Sequence, residues 1–362
     1  MERERSARRV WSRLASRSSG TWACRFDAGQ WRGLAESVIV RDADDRERKR
    51  THLSDKKDLV SIHDMSSEEV AHVFEIAADM KKSPREFSGS LERKSLGMIF
   101  EKSSTRTRVS FEVGMYQLGG HALFLSSRDI QLGRGETIED TAKVLSRYVD
   151  GIMARTYAHA TVTDLARYAS VPVINGLTDL LHPCQGLTDY FTASEKLGDL
   201  RGRKLAWIGD GNNMAHSLMY GAPKVGMDIA VATPKGFEPD ASVVQSAMSD
   251  AAKAGTKITL TSSIEEAAEG ADVVETDVWV SMGQEDEDAR RKKAFEGWIV
   301  DDRVMSMAGS QAIFMHCLPA HRGEEVSASV ADGPQSVIFD EAENRLHVQK
   351  ALMYILMKKG SE

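Results

Sequence analysis

Cysteine is scarce in this chain: Cys24, Cys184 and Cys317 are the only three among 362 residues. Three thiols are too few for a disulfide framework, and they lack the close spacing of metal ligands. A reducing compartment is then the default. Long apolar runs are missing as well, and none approaches the roughly 18 residues of a membrane span. There is no surplus of positive charge, since the formal net charge is −7. A general nucleic-acid binder would usually be basic, so that class is set aside, while a local basic pocket for a small anion is not. Signature loops are lacking too. No GxxxxGK followed by Ser or Thr is present, which excludes a P-loop. No GxSxG elbow is present, which argues against a Ser-His-Asp hydrolase. Gly209 and Gly211 are followed by Met214 where a dinucleotide fingerprint needs a third glycine.

What is present is a soluble, globular composition, with 41% hydrophobic and 28% charged residues. The length suits two domains of ordinary size. The first 50 residues read differently, being rich in Arg and Ser and lacking the apolar core of a secretory signal. A loosely ordered extension over residues 1–58 is expected. The location expected is cytoplasmic, with a mitochondrial transit peptide as the alternative.

From Leu59 onward, helix and strand patterns alternate. Apolar residues at helical spacing predict helices over 66–82, 107–120 and 136–149, and short apolar runs predict strands over 95–101, 121–127 and 151–155. The same alternation restarts after a helix around 186–200, with strands predicted at 204–210, 228–234, 257–263, 271–279 and 312–318. Strands separated by helices imply parallel sheets with helical crossovers. The expected fold class is therefore α/β: two domains, 59–190 and 191–340, each a mostly parallel sheet flanked by helices, with a cleft between them. A terminal helix within 341–362 is expected to return to the first domain.

Open parallel sheets hold ligands beyond their strand C-termini, and the polar motifs fall there. FEKSSTRTR (residues 100–108) runs from a predicted strand straight into a helix start. Helix-start N–H groups and the helix field favour phosphate. Ser104, Thr105 and Thr107 add hydroxyls, and Arg106 adds a planar fork that matches phosphate oxygens. Arg155, in MARTY, follows another strand. His182 and Gln185, in HPCQ, offer a donor for a carbonyl or phosphate oxygen and a partner for an amide NH₂. DIQLGRGE, 129–136, reads as a surface loop. In the second half GDGNN supplies Asn212 and Asn213, DVWVSMG supplies Asp277, Ser281 and Met282, and HCLP supplies Cys317. Asn344 and Arg345 are placed at the start of the terminal helix. The run EDEDAR, 285–290, reads as a solvated face. His182, Cys184, His316 and Cys317 are shared between distant loops, so no metal and no cofactor are expected.

Taken together, FEKSSTRTR, MARTY, HPCQ, GDGNN, DVWVSMG and HCLP resemble the aspartate/ornithine carbamoyltransferase family, from about residue 59 to 359. DVWVSMG and HCLP resemble its ornithine side. The resemblance implies transfer of a carbamoyl group from carbamoyl phosphate to the δ-amine of L-ornithine, giving citrulline and phosphate. It implies a homotrimer, with neither nucleic acid nor membrane as a partner. Ser104, Thr105, Arg106 and Thr107 would hold the phosphate, and Gln131 of an adjacent subunit would complete that site. Arg155, His182 and Gln185 would meet the carbamoyl group. Asn213, Asp277, Ser281 and Met282 would hold ornithine. Cys317, the Leu318 carbonyl and Arg345 would flank the reacting end, so that Arg155, His182, Asp277, Cys317 and Arg345 form the expected catalytic set. Other amines, such as putrescine or an N-acylated ornithine, are the rival substrates. A non-catalytic binding protein on the same fold is the rival class.

Overall fold

The computed structural model describes residues 58–130, 135–280 and 288–358. After a short turn, helix α1 (Ser67–Lys82) opens on a capping box, in which Ser66 and Glu69 satisfy each other's backbone N–H groups. There follow β1 (Ser95–Phe100), α2 (Thr105–Gln117), β2 (His121–Ser126), α3 (Ile138–Leu145), β3 (Gly151–Arg155), α4 (His159–Tyr168), β4 (Val173–Leu177) and α5 (Pro183–Leu197). The second half continues with β5 (Lys204–Ile208), α6 (Asn213–Val225), β6 (Asp228–Ala232), α7 (Ala241–Ala254), β7 (Ile258–Thr261), α8 (Ile264–Ala268) and β8 (Val273–Thr276). The described chain ends through α9 (Asp288–Ala294), α10 (Asp302–Met307), β9 (Ile313–His316), α11 (Ala328–Ala331) and α12 (Ile338–Met357).

Two parallel sheets result, in the strand orders β2-β1-β3-β4 and β7-β6-β5-β8-β9. In each, the first strand of the repeat lies inside and the chain winds outward both ways. Strand order therefore reverses beside β1 and beside β5, which opens a crevice at each C-terminal edge. The central strand β3 is buried along its whole length, and so is β4 at the far edge, whose outer side meets Leu59 in an isolated parallel bridge to Ile174. The edge strand β2 is largely exposed or half-buried. Helix α12 packs against α1, α2 and α5 and so closes the first lobe with chain from the far end of the sequence.

Two boundaries differ from expectation for a physical reason. Helix α2 starts at Thr105, because the Ser104 hydroxyl accepts from the Thr107 N–H at 3.2 Å and fixes the cap there. Helix α12 starts at Ile338, so Asn344 and Arg345 lie in its second turn and not at its start.

Candidate active site

The strand C-termini of the two lobes face a common cleft of about 510 Å³. From the first lobe it is lined by Lys102, Ser103, Ser104, Thr105, Arg106, Arg155 and His182. From the second come Asn213, Asp277, Val278, Val280, Cys317, Leu318 and His321, and Arg345 reaches in from α12.

The first-lobe end is crowded with positive charge. Arg155 closes β3 and is buried, with its Nε lacking any partner. Burial, then the neighbouring Arg345 and Arg106, pulls its guanidinium down to about 9. Arg345 is pulled down too, burial again coming first. A guanidinium does not give up its proton in proteins. The shifts therefore mark uncompensated charge that an anion would relieve.

His182 precedes Pro183 at the start of α5, and its own N–H donates to Ser217 Oγ at 2.7 Å. Its Nε2 faces an Arg345 Nη at 3.1 Å. Arginine only donates, so Nε2 accepts and the imidazole proton sits on Nδ1. Burial, then Arg345, Arg155 and Arg106, holds the ring well below its ordinary pKa, hence neutral. Nδ1 is buried without a partner. A neutral histidine thus carries one unspent N–H donor beside three guanidinium groups.

Two expected contacts lie elsewhere. Gln185 is 1% exposed and faces away from the cleft. Its amide donates to Asp189 Oδ1 at 2.6 Å and to Glu341 Oε1 at 2.8 Å, and its oxygen accepts from Arg345 at 2.6 Å. With every group engaged it orients Arg345, and a free amide partner for a ligand NH₂ is not what it offers. Thr107 is likewise buried, accepting from Arg345 at 2.8 Å and from Arg155 at 3.4 Å. It braces the guanidinium groups from behind. Gln131, Ser281 and Met282 lie outside the described residues.

On the second lobe the polypeptide turns from β5 into α6 through Gly209, Asp210 and Gly211. A Cβ on Gly211 would sit 2.3 Å from the Pro239 nitrogen, so no other residue fits. Asn212 caps α6, accepting from Met214 N–H at 2.9 Å, and donates to Asp277 Oδ2 at 3.1 Å. Asn213 donates to the Thr178 carbonyl at 2.7 Å and so ties α6 to the loop after β4. Asp277 follows β8, and its Oδ1 accepts from Val278 N–H at 2.8 Å and from the Cys317 thiol at 3.3 Å. Burial, then Asp277 and the nearby buried carboxyls, pushes the Cys317 thiol well above its ordinary pKa. It is a neutral donor and not a nucleophilic thiolate. Leu318 has a left-handed backbone (φ 61°), and its carbonyl accepts from Arg106 at 2.5 Å across the cleft.

Sequence reasoning missed Lys102 and His321, which line the cleft, and Arg291. The Arg291 guanidinium donates to Asp210 Oδ2 at 2.8 Å and to the Trp279 carbonyl at 3.0 Å, bracing the strand ends from beneath. Nothing in a basic stretch of α9 marks which arginine turns inward. Asp277, His316 and Cys317 place possible metal ligands within 4.8 Å of one another. Both His316 nitrogens are already engaged, however, Nδ1 by Leu318 N–H and Nε2 by Glu325.

With this geometry in hand, the comparisons with known proteins are informative. The family model described as "Aspartate/ornithine carbamoyltransferase, carbamoyl-P binding domain" matches residues 57–195, and the one described as "Asp/Orn binding domain" matches residues 201–356. An ornithine carbamoyltransferase of Carboxydothermus hydrogenoformans is 56% identical over 303 residues, which is 83% of this chain and 97% of that protein. The solved ornithine carbamoyltransferase of Pyrococcus furiosus superposes with a TM-score of 0.81 at 52% identity, covering 84% of this chain and 98% of its own. The ornithine transcarbamoylase of Giardia lamblia gives a TM-score of 0.77 at 37% identity, covering 85% of this chain and all of its own.

Proposed function

This chain belongs to the aspartate/ornithine carbamoyltransferase family, and from that premise we propose that it transfers the carbamoyl group of carbamoyl phosphate to the δ-amine of L-ornithine, giving L-citrulline and phosphate. One observation carries the reading. Arg106, Arg155 and Arg345 line a single cleft at a helix start, and the carboxylate lining that cleft, Asp277, comes from the second lobe. The cleft therefore has a place for a dianion and a separate place for a cationic amine.

The phosphate would rest against Ser104, Thr105, Arg106 and the first turn of α2. The carbamoyl oxygen would meet Arg155 and the free Nδ1–H of His182, and Arg345 would be held in place by Thr107 and Gln185. An alkyl amine has a pKa of ~10.4 in water and no lone pair while protonated. A water-poor cleft lowers that value and supplies the neutral form. The amine nitrogen attacks the carbamoyl carbon, the C–N bond forms, and the bond between that carbon and the bridging phosphate oxygen breaks. Phosphate leaves with the electron pair and takes up the proton that the nitrogen loses. Charge developing on the carbamoyl oxygen would be stabilised by these donors. Asp277 and Cys317 would orient the amine, with Asn213, Ser281 and Met282 at the amino-acid end.

The Leu318 carbonyl accepts from Arg106. A phosphate that draws Arg106 to itself would release that carbonyl to accept from the amine. We further propose a homotrimer in which Gln131 of a neighbouring copy completes the phosphate site. The support is an apolar stripe, Val109, Val113 and Tyr116, on the outward face of α2, together with exposed Leu123 and Phe124 on the edge strand β2.

The test is turnover with carbamoyl phosphate and L-ornithine, putrescine or N-acetylornithine, following phosphate and ureido product together. A site built around hydrogen bonds rejects an analogue lacking them by up to about 10⁴-fold. L-Ornithine is expected to have much the highest kcat/KM. If putrescine or N-acetylornithine equals it, the ornithine reading is wrong.

A further inference from the structure

The segment that carries Cys317 and Leu318 into the cleft is held from behind by one carboxylate. His316, the last residue of β9, and Glu325 are both 0% exposed. His316 Nδ1 accepts from the Leu318 N–H at 2.9 Å. A backbone N–H only donates, so Nδ1 is unprotonated and the ring proton lies on Nε2. Nε2 then donates to Glu325 Oε1 at 3.2 Å. The same oxygen accepts from the His321 N–H at 2.5 Å. Glu325 therefore holds both ends of the 316–321 turn with one atom.

The turn needs such holding. Leu318 is a non-glycine residue at φ 61°, a conformation a side chain adopts only when its surroundings impose it. The Glu324 N–H to His321 carbonyl bond (2.9 Å) and the Gly323 N–H to Val326 carbonyl bond (2.8 Å) bend the chain back so that Glu325 points inward. Val300 N–H fastens the Glu325 carbonyl at 2.9 Å, which anchors this bend to the second lobe.

We infer that Glu325 is a positioning residue for the second substrate: acting through His316, it fixes the tautomer and the turn that aim the Leu318 carbonyl and the Cys317 thiol into the cleft. Glu325 itself does not line the cleft. The inference rests on the ornithine reading above for the identity of that substrate. It predicts a selective defect, because the donors of the carbamoyl-phosphate end come from α2, β3, α5 and α12, whereas the Glu325 side chain bonds to His316 and His321.

Three variants separate the possibilities. Glu325→Leu removes the acceptor, Glu325→Asp retracts it, and Glu325→Gln keeps an oxygen that can accept from both His316 and His321. Displacing a reacting group by about an ångström costs on the order of 10²-fold. Glu325→Leu is expected to lose about that much kcat/KM for ornithine, while the Kd for carbamoyl phosphate measured by calorimetry stays close to wild type. Glu325→Gln should be restored to near wild type, and Glu325→Asp, which also covers the case of a Leu variant that does not fold, should fall between. Hydrogen exchange at the Leu318 and His321 amides should rise in the Leu and Asp variants and stay low in the Gln variant. Wild-type ornithine turnover in Glu325→Leu, an equal loss of both substrates, or a Gln variant as impaired as Leu would each overturn the assignment. The exchange measurement needs no substrate. It judges Glu325 even if wild type forms no citrulline, an outcome that counts against the ornithine reading alone.

Discussion

At Arg106 one guanidinium stands between two lobes. It opens α2 with the hydroxyls of Ser104 and Thr105 beside it, and it donates to the Leu318 carbonyl of the second lobe. Its neighbours Arg155 and Arg345 are buried and short of counter-charge. Arg106→Ala is therefore expected to keep the fold, since the side chain is exposed, and to lose carbamoyl-phosphate binding. Removing one partner of a hydrogen-bonded charge pair costs roughly 2–5 kcal/mol, so calorimetry should show a much weaker Kd in a protein with unchanged circular dichroism. An unaltered Kd would remove Arg106 from the phosphate site. The residue types at this end were legible from the sequence because clustered hydroxyls and arginines at a strand-to-helix junction have few other uses. Gln185 and Thr107 were legible as members of the site but not in their roles. Which way a side chain turns from a helix start depends on α12, whose Arg345 lies 160 residues from Gln185 and 238 from Thr107 in sequence.

The elements were read well where they are long and periodic, and poorly where they are short. Helices α1, α2, α6 and α7 carry caps or apolar periodicity that the sequence displays. Helices α8, α10 and α11 hold only five, six and four residues, too few for a helical period to stand out. Least legible of all is what gathers where α5, β8 and α12 meet. Asp189, Glu275 and Glu341 are buried together there. Asp189 Oδ2 and both Glu275 oxygens find no N–H or hydroxyl donor. Burial pushes Asp189 up to about 7, and burial together with the neighbouring carboxylates pushes Glu275 and Glu341 well above the ordinary range. A carboxyl whose folded pKa lies above its unfolded value binds its proton more tightly when folded. Its contribution is fully present below the unfolded pKa, near 4, and is lost as pH rises through about 7. Thermal unfolding should thus show a lower midpoint at pH 8 than at pH 5.5. Asp189→Asn, which carries no titrating proton, should flatten that slope. A slope identical in wild type and Asp189→Asn would show that the cluster does not titrate as described.

At the scale of the whole molecule, alternation of strands and helices was enough to anticipate two parallel α/β lobes with ligand groups at their strand ends. It could not anticipate an assembly, because an exposed apolar residue looks the same in sequence as a buried one. In the structure Val109, Val113 and Tyr116 recur at four- and three-residue intervals on the outer face of α2, and Tyr116 is 81% exposed. Leu123 and Phe124 of β2 are exposed as well, and the Arg108 guanidinium of α2 stacks on Phe124 at 3.8 Å. A row of this kind loses stability in water and gains it against another chain. The proposed trimer places a second copy there. It also makes a kinetic demand, because a phosphate site that needs Gln131 from a neighbour cannot be complete in a single copy. Val113→Lys combined with Tyr116→Lys puts two helix-compatible charges into the stripe and should leave the lobes folded. Sedimentation equilibrium should then show wild type well above the 39.9 kDa of one chain and the double variant shifted towards it. Carbamoyl-phosphate affinity should fall with the assembly, although no residue lining the cleft has changed. Wild type sedimenting as single chains would sink the trimer. A double variant that dissociates yet binds carbamoyl phosphate as tightly as wild type would leave the trimer standing and refute the contribution of Gln131 from a neighbouring copy.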